Sequence, residues 1–225
     1  MKIEMVVVCV NYGDVLQHTL KQNSKSFDNI AVVTSFEDLE TVKICEEYSN
    51  VRCVQTSRMY ENDQDKFNKG KALNEGIKAL DKDGWLLITD ADMAFPSKTR
   101  QVLEGKLDDI ECIYGTSRYM CKTYNEWVKY KNNGENPINT WPHQCRRLNI
   151  GVGFFQIANF NGQIMKEKIG SWYNEGWGHC GRSDRAFWRS WPDDKRIRIK
   201  DLYGIHLGDD SFQANWYGRT TERFS

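Results

Sequence analysis

The chain has 225 residues and a mass of 26.3 kDa, which is enough for one domain with a single sizeable core. Its 31 basic and 31 acidic residues balance, so the net charge creates no global field that would attract nucleic acid or an anionic membrane. A local basic patch is the charge pattern that remains compatible with nucleic-acid binding.

Cysteine usage and the N-terminus indicate the compartment. The seven cysteines are odd in number and never spaced C-x-x-C, which argues against a disulfide framework or a zinc knuckle and favours reduced thiols. The chain begins with an apolar strand pattern that carries Glu4, too short and too acidic for a signal peptide, and no apolar run reaches membrane-spanning length. We therefore expect a protein of the cytoplasm, or of the host cytoplasm if a phage encodes it, with no membrane partner.

The first 96 residues alternate between strand and helix patterns. Apolar runs predict buried strands at 3–10, 30–34, 51–54 and 85–89. Helices are predicted after the break at 11–13, after Ser35 as a cap with Asp38 three residues on and Leu39 inward, and from Asn68. This alternation predicts an α/β fold with a doubly wound, mostly parallel sheet and a ligand crevice at the carboxyl ends of its strands.

Beyond residue 96 the alternation loosens. Apolar patterns still predict one helix and three strands, at 124–131 and at 110–114, 150–158 and 196–200 respectively. In the second of these strands, Gly151 and Gly153 permit a bulge or a close approach of the backbone. Ser183 is expected to cap a last helix whose first turn contains Asp184. The polar segment at 132–147 suits a lid or an acceptor surface.

Two acids, Asp90 and Asp92, directly follow the predicted buried strand that begins at Trp85. The same D-x-D spacing occurs at 63–65 and 81–83, but those pairs lie in polar segments and fit a solvated surface. At the carboxyl end of a parallel strand, a pair of carboxylates lies where a diphosphate and its cation would be held. We therefore interpret Asp90 and Asp92 as a metal site for such a diphosphate.

The order of five motifs gives the chain a family resemblance. The motifs are N-K-G-K-A-L-N-E-G-I from Asn68, T-D-A-D from Thr89, E-G-W-G from Glu175, S-D-R-A-F from Ser183 and I-H-L-G from Ile205. With this set, which spans most of its length, the chain resembles glycosyltransferases of the GT-A fold, closest to the family 2 type and the related galactosyltransferases. The resemblance implies one GT-A (Rossmann-like) domain over 1–225, with a nucleotide-sugar-binding half at 1–96 and an acceptor-binding half with a C-terminal lid at 97–225.

The resemblance implies that Mn2+ or Mg2+ joins a nucleotide diphosphate to Asp90 and Asp92, with the imidazole of His206 as a further ligand. A hard divalent cation held by carboxylates and phosphates stabilises a departing nucleotide, and an added imidazole favours manganese. Judged without the resemblance, His206 fits better as a loop histidine that is hydrogen-bonded to backbone.

The resemblance also implies a catalytic base. Asp184 matches the last acid of the W-G-x-E-D segment of the related transferases, which deprotonates the acceptor hydroxyl, so the transfer would be inverting. A helix N-terminus favours the ionised form that a base needs. Ser183 stands where the family has Glu, and His179 and Cys180 are inserted before it, so acceptor recognition departs from the family pattern. The alternative is an Asp184 that serves only the helix dipole.

Contacts to both substrates are implied in the same way. The donor, a nucleotide sugar and foremost a UDP-sugar, would contact Asn11, Tyr12, Thr34, Lys69, Lys71, Asn74, Ala91, Trp216 and Arg219. The acceptor would contact Phe155, Trp177, Gly178 and Ser183. The alternative for the two lysines is an exposed position beside Gly70. The alternative for Tyr12 is that its ring only fills the edge of the core.

Several functions stay open at the level of sequence. A non-catalytic sugar- or nucleic-acid-binding module would use the same sheet. So would a nucleotidyltransferase, which should have a Gly-rich loop with Arg or Lys after its first strand, whereas this chain has N-Y-G-D at 11–14. The acceptor is either a saccharide or a hydroxymethylated DNA base of the kind that phage transferases modify, the latter suggested by basic residues at 146–147 and 195–200. The sequence gives no signal for the oligomeric state.

Overall fold

In the computed structural model, which describes residues 1–61, 67–137, 153–176, 183–208 and 223–224, the described strands form one eight-stranded sheet. They are β1 (Ile3–Val8), β2 (Asn29–Thr34), β3 (Val51–Gln55), β4 (Trp85–Asp90), β5 (Met93–Ala94), β6 (Ile113–Cys121), β7 (Gln156–Asn159) and β8 (Arg196–Leu207). The described helices are α1 (Gly13–Asn23), α2 (Leu39–Glu46), α3 (Lys69–Lys78), α4 (Thr99–Glu104), α5 (Tyr124–Asn132), α6 (Gln163–Glu167) and α7 (Ser183–Trp188). Short 3-10 turns lie at Arg58–Tyr60 and Asp193–Lys195.

The strands follow the order β3-β2-β1-β4-β7-β6-β8-β5 across the sheet. The first four strands in this order are parallel neighbours, which confirms the predicted doubly wound half. β7 then lies antiparallel between β4 and β6, β6 and β8 are parallel, and the two-residue β5 is antiparallel to β8. The result is the predicted single α/β domain with a mixed, mostly parallel sheet of the GT-A (Rossmann-like) type.

Alternate residues of the central strands pack on opposite faces of the sheet. In β1, Met5 belongs to one core cluster and Val6 to the other, and in β4 Leu87 and Ile88 divide in the same way. Because both faces are covered, β4 is an apolar run whose polar residues come only at its carboxyl end. The buried strand thus delivers Asp90 to the edge of the sheet where ligands bind in this architecture.

Helix α2 begins about one turn later than the sequence indicated. Its N-cap is Asp38 and not Ser35, because the Asp38 carboxylate accepts the Thr41 N–H at 3.2 Å. The same carboxylate accepts the Asn11 N–H at 2.7 Å, so this cap also fixes the loop that follows β1. Leu39, expected on the buried face, is 61% exposed, since the later start turns it outward.

The strands of the second half differ from the predicted ranges. β6 begins later than expected, and β8 continues well beyond residue 200. These two strands pair in parallel along their length, with a register irregularity between Gly115 and Ser117. Pairing with a long neighbouring strand satisfies the backbone hydrogen bonds of polar residues that have no strand pattern of their own. Of the strand expected at 150–158, residues 150–152 lie outside the described part, and β7 begins at Gln156.

Helix α3 follows its prediction closely. Asn68 caps it by accepting the Lys71 N–H at 3.0 Å, and the inward residues Leu73, Ile77 and Leu80 are buried. Helix α5 also lies where its pattern placed it. Local patterns were sufficient for these two helices.

The structure also bears on the expected reduced thiols and on the expected absence of a membrane-spanning segment. The described cysteines are free thiols, namely Cys9, Cys45, Cys53, Cys112 and Cys121. Cys145 and Cys180 lie outside the described residues. In the part of the chain that the structure describes, no helix combines the length and the apolar character needed to cross a membrane.

Candidate active site

Two acids lie at the carboxyl end of β4. Asp90 is the last residue of the strand, and Asp92 follows in the turn that leads to β5. β5 pairs with the end of β8 so that Met93 faces His206, and the Leu207 N–H donates to the Asp92 carbonyl at 2.8 Å. This pairing places His206 beside the D-x-D acids, although it is distant from them in the chain.

The Asp92 carboxylate and the His206 imidazole are in direct contact. His206 Nε2 lies 3.1 Å from Asp92 Oδ2, and both side chains are largely buried. Burial opposes ionisation of Asp92, but His206 and the charges of Arg118 and Lys69 outweigh it and hold the pKa of this carboxyl below its ordinary value. Asp92 Oδ1 and His206 Nδ1 are buried too, and neither has a hydrogen-bond partner among the described residues. Such an oxygen and such an imidazole nitrogen are donor types that manganese accepts.

One lysine joins the D-x-D acids to the predicted base. Lys69, the first residue of α3, places its Nζ 2.7 Å from Asp90 Oδ1 and 3.1 Å from Asp184 Oδ1. The Lys69 side chain is 8% exposed and the Asp90 side chain 34%, so the cluster opens to solvent at Asp90. Burial, together with the negative charges of Asp92 and Asp184, raises the pKa of Asp90 in spite of the opposing charge of Lys69. Lys69 is thus an internal cation shared by Asp90 and Asp184.

The Asp184 carboxylate is held by a buried phenol. Tyr173 Oη lies 2.7 Å from Asp184 Oδ1 and 2.7 Å from Gln156 Oε1, and Gln156 Nε2 donates to the Asp184 carbonyl at 2.8 Å. Burial, and then the charge of Asp184, raises the pKa of Tyr173 well above its ordinary value, so the phenol keeps its proton. These contacts fix the carboxylate in one orientation next to Lys69.

Asn74, expected to contact the donor, holds the Tyr173 segment instead. Its Nδ2 donates to the Tyr173 carbonyl at 2.9 Å and to Glu175 Oε1 at 2.8 Å, and its Oδ1 accepts the Tyr173 N–H at 2.9 Å. Arg58 binds the other carboxylate oxygen of Glu175 at 3.1 Å. The amide of Asn74 is thus fully buried and engaged with the segment that carries Tyr173 and Glu175.

Gly153 approaches the Asp184 carboxylate so closely that a larger residue does not fit. Its φ is +83°, and a Cβ built there would lie 2.6 Å from Asp184 Oδ2. We expect Gly153→Ala to lower the free energy of unfolding by about 2–5 kcal/mol, through backbone strain and displacement of the carboxylate. Chemical denaturation measures this change.

Gly170→Ala is the matched control for that substitution. Gly170 has a φ of +88°, but no described atom lies within 4 Å of its Cβ position. This variant should lose only the strain contribution of about 1–2 kcal/mol. Equal losses in the two variants would mean that the Asp184 carboxylate moves aside freely, which contradicts a fixed orientation.

The donor residues expected from the ends of β1 and β2 converge on Asp38, which the sequence did not single out as a site residue. The Asn11 N–H and Thr34 Oγ1 both donate to Asp38 Oδ2, at 2.7 and 2.9 Å, and Asn11 has a φ of 60°. Tyr12 packs at the margin of the core, and the Ala91 carbonyl accepts a threonine hydroxyl from α1 at 2.7 Å. Asp38 thus places an acid beside Thr34 at the end of β2.

The remaining expected residues are placed as follows. Lys71 Nζ lies 3.2 Å from Glu61 Oε2. Phe155 is a core residue, fully buried with its ring centre 5.4 Å from that of Phe95. Ser183 is buried at the start of α7. Four expected residues lie outside the described part of the chain, namely Trp177, Gly178, Trp216 and Arg219.

Arg118 is a site residue that no motif revealed. It lies on β6, with its guanidinium carbon 4.9 Å from the centre of the Phe154 ring. Its positive charge contributes to the lowered pKa of Asp92. Tyr173 and Gln156 were missed for the same reason, since sheet pairing and packing bring them to the site.

The described residues do not form a ready-made metal centre. Among them, no group of three His, Cys, Asp or Glu side chains is arranged to share one ion. The acids have internal partners instead, Lys69 for Asp90 and His206 for Asp92. A cation bound here would have to replace or share these contacts.

An open α/β sheet with acids gathered at its carboxyl edge is the layout of a GT-A (Rossmann-like) transferase. A sequence model of the family described as Glycosyl transferase family 2 matches residues 5–165, which is more than half of the chain. The chain therefore belongs to this family. Among curated proteins, none matches the chain significantly.

Several solved structures share the fold. The chain is similar to 4-diphosphocytidyl-2C-methyl-D-erythritol synthase from Anaerococcus prevotii DSM 20548, with a TM-score of 0.52, 17% identity, and 93% of this chain and 88% of that chain covered. The inositol-1-phosphate CTP transferase from T. maritima gives a TM-score of 0.51 at 9% identity, with 94% and 91% covered. HddC from Yersinia pseudotuberculosis gives 0.50 at 8% identity, with 90% and 92% covered. At these identities the likeness shows the fold alone.

Proposed function

We propose that the protein transfers a sugar from a nucleotide diphosphate sugar, with UDP as the nucleotide, to an acceptor hydroxyl in a metal-dependent, inverting reaction. The observation that carries this proposal is the convergence of Asp90, Asp92, His206 and Asp184 on one edge of the sheet. Membership of Glycosyl transferase family 2 supports the transfer of a glycosyl group. The convergence offers both a site for the leaving diphosphate and a base for the acceptor.

Asp90, Asp92 and His206 would hold Mn2+, or Mg2+ in its place. The fit depends on Asp92 Oδ1 and His206 Nδ1, two buried polar atoms for which the described residues provide no hydrogen-bond partner. When bound, the cation neutralises charge that develops on the departing diphosphate. The contact between Asp92 Oδ2 and His206 Nε2 would open as both side chains turn toward the shared cation.

Asp184 would act as the catalytic base. Its carboxylate accepts the proton of the acceptor hydroxyl while the acceptor oxygen bonds to the anomeric carbon and the bond from that carbon to the diphosphate breaks. Attack from the face opposite the leaving group inverts the configuration at that carbon. Tyr173 and Gln156 hold Asp184 in place for this step.

The half of the chain at 1–96 would receive the nucleotide. Lys69 and Lys71 lie in the first turn of α3 and are proposed to contact the diphosphate, since helix N-termini and cations attract phosphate. The nucleoside would lie over the ends of β1 and β2, beside Asn11 and Thr34. The donor sugar would then extend toward the D-x-D acids.

The half at 97–225 would bind the acceptor, and we propose that the acceptor is a saccharide that offers a hydroxyl group. The DNA alternative drew on the basic residues at 146–147, which lie outside the described part of the chain, and at 195–200, two of which pair with carboxylates nearby. β8 runs from this segment to His206 beside the stretch of β6 from Ile113 to Met120, so the start of the segment lies roughly 20 Å from His206. Binding of a DNA acceptor would fall steeply with salt, whereas transfer to a saccharide should be nearly independent of salt.

A nucleotidyltransferase is the second candidate, because solved structures of similar fold carry such names. Such an enzyme would bind a triphosphate with Arg or Lys side chains of the loop that follows β1. In this chain α1 already begins at Gly13, and the first Arg or Lys after β1 is Lys21 in its last turn. Release of pyrophosphate from a nucleoside triphosphate and a sugar phosphate would favour this second candidate.

Release of UDP from UDP-sugars in the presence of Mn2+ tests the proposed function. A panel of UDP-sugars is incubated with the protein, with and without oligosaccharide acceptors, and UDP is quantified. We expect release that is lost in Asp92→Ala and kept in Asp83→Ala, which removes an exposed acid from a similar D-x-D pair. No release from any UDP-sugar, or equal release by Asp92→Ala and the wild type, would contradict the proposed function.

Tyr173→Phe should reduce kcat about tenfold and leave KM for the donor unchanged, because a less well oriented base slows only the chemical step. The substitution removes the 2.7 Å contact to Asp184 but keeps the ring stacked on Phe187. Steady-state kinetics over a range of donor concentrations give both constants. An unchanged kcat, or a rise in KM alone, would mean that Tyr173 does not position the base.

A further inference from the structure

The ammonium group of Lys69 lies at the centre of the acidic cluster. It is 2.7 Å from Asp90 Oδ1, 3.1 Å from Asp184 Oδ1 and 3.3 Å from Asp184 Oδ2. Its side chain is almost fully buried, which lysine tolerates only when its charge is paired. These contacts connect the two functions assigned above, because Asp90 belongs to the cation site and Asp184 is the base.

Lys69 is also unfavourably placed for the helix that carries it. It is the first residue of α3, whose first turn contains Lys71 as well and no acid. A helix N-terminus carries a partial positive charge and therefore disfavours cations. The ammonium group is held in place by the carboxylates of the site and gains nothing from the helix.

We propose that Lys69 is an internal counter-ion that a divalent cation displaces from Asp90, so that occupation of the metal site is coupled to release of the base. The inference rests on the proposed function, since it takes Asp90 as a ligand and Asp184 as the base. Two cations repel each other strongly at the separation that one shared carboxylate oxygen imposes. The displaced ammonium group turns to the diphosphate of the incoming donor.

Displacement of the Lys69 ammonium group would free one carboxylate oxygen of Asp184. Both of its carboxylate oxygens are engaged in this structure, Oδ1 by Tyr173 and Lys69 and Oδ2 by Lys69. Withdrawal of the ammonium group frees Oδ2 for the acceptor hydroxyl, while Tyr173 continues to hold Oδ1. The base thus becomes available only when the donor site is loaded.

Direct measurement of Mn2+ binding, by titration calorimetry or by electron paramagnetic resonance of the free ion, tests displacement without an activity assay. In Lys69→Met the competing ammonium group is absent, and we expect Mn2+ to bind about tenfold more tightly than to the wild type. Lys69→Arg keeps the charge and should bind no more tightly than the wild type. Lys78→Met is the matched control: it removes a lysine that pairs with Glu75 at 2.8 Å in the last turn of α3, and its affinity should be unchanged.

Amine labelling with mass spectrometry supplies a second readout on the wild-type protein, which does not depend on the folding of a variant. We expect added Mn2+ to raise the labelling rate of Lys69 and to leave that of Lys78 unchanged. Displacement would be overturned if folded Lys69→Met binds Mn2+ no more tightly than the wild type does. It would also be overturned if Mn2+ does not alter the labelling rate of Lys69. If the wild type still binds Mn2+ in that case, the proposed function stands. If neither protein binds Mn2+, both fail.

Discussion

Asp184→Asn is expected to reduce the rate of sugar transfer by about 10²–10⁴-fold, the range that a general base contributes. Asparagine keeps the shape of the side chain, and its carbonyl oxygen can still accept the hydrogen bond of Tyr173. It cannot take up the proton of the acceptor hydroxyl. Donor affinity, measured by calorimetry, should stay close to the wild-type value while the rate falls. The free energy of unfolding should decrease, because the buried Lys69 loses one of its two carboxylate partners.

Asp194→Asn serves as the control for this substitution, because it makes the same chemical change at an exposed acid on the 3-10 turn before β8. Its transfer rate should equal that of the wild type. A transfer rate in Asp184→Asn within a few-fold of the wild type would remove Asp184 from the mechanism. In that event the contacts with Tyr173 and Lys69 would be structural only.

Asp92→Asn and His206→Gln are each expected to weaken Mn2+ binding by about 100-fold or more, since even the supporting partners of metal ligands contribute 10–100-fold. The two side chains lie 3.1 Å apart, so each substitution removes a ligand-type atom and disturbs the orientation of the other. Calorimetric titration with Mn2+ in the presence of UDP measures the loss. UDP-sugar turnover should fall in parallel.

His18→Gln is the control for the histidine substitution. His18 lies on α1, and its ring packs 5.2 Å from the ring of Tyr124 and 5.8 Å from that of Phe224. Its removal should not change Mn2+ affinity. If His206→Gln binds Mn2+ as the wild type does while Asp92→Asn does not, the imidazole is no ligand and the cation is held by carboxylates and phosphate alone.

The features that the sequence predicted well depend on local patterns. The strands of the first half are continuous apolar runs with polar ends, which is why β4 and the position of Asp90 at its end were predictable. The Asn68 cap and the inward residues of α3 follow from helical spacing. The position of His206 beside Asp92 followed from the family resemblance, because nothing in the local sequence around His206 indicates that β8 returns to β5.

The features that escaped prediction depend on long-range packing. β7 enters the sheet antiparallel between β4 and β6, and this insertion brings Gln156 to Asp184. Asn74 and Phe155 have residue types that suit ligand contacts, and their complete burial follows from tertiary packing that the local sequence does not indicate. Lys69 was expected to meet a diphosphate, and its ion pair with two acids from different elements could not be read from α3 alone.

Crystals grown with UDP and Mn2+, with diffraction measured at the manganese absorption edge, test most directly whether a cation joins the D-x-D acids to the leaving nucleotide. We expect one anomalous peak that contacts Asp90, Asp92, His206 and the diphosphate, with the Lys69 ammonium group withdrawn from Asp90. Bound UDP with no manganese between its diphosphate and these residues, or a manganese peak at another place, would contradict the account.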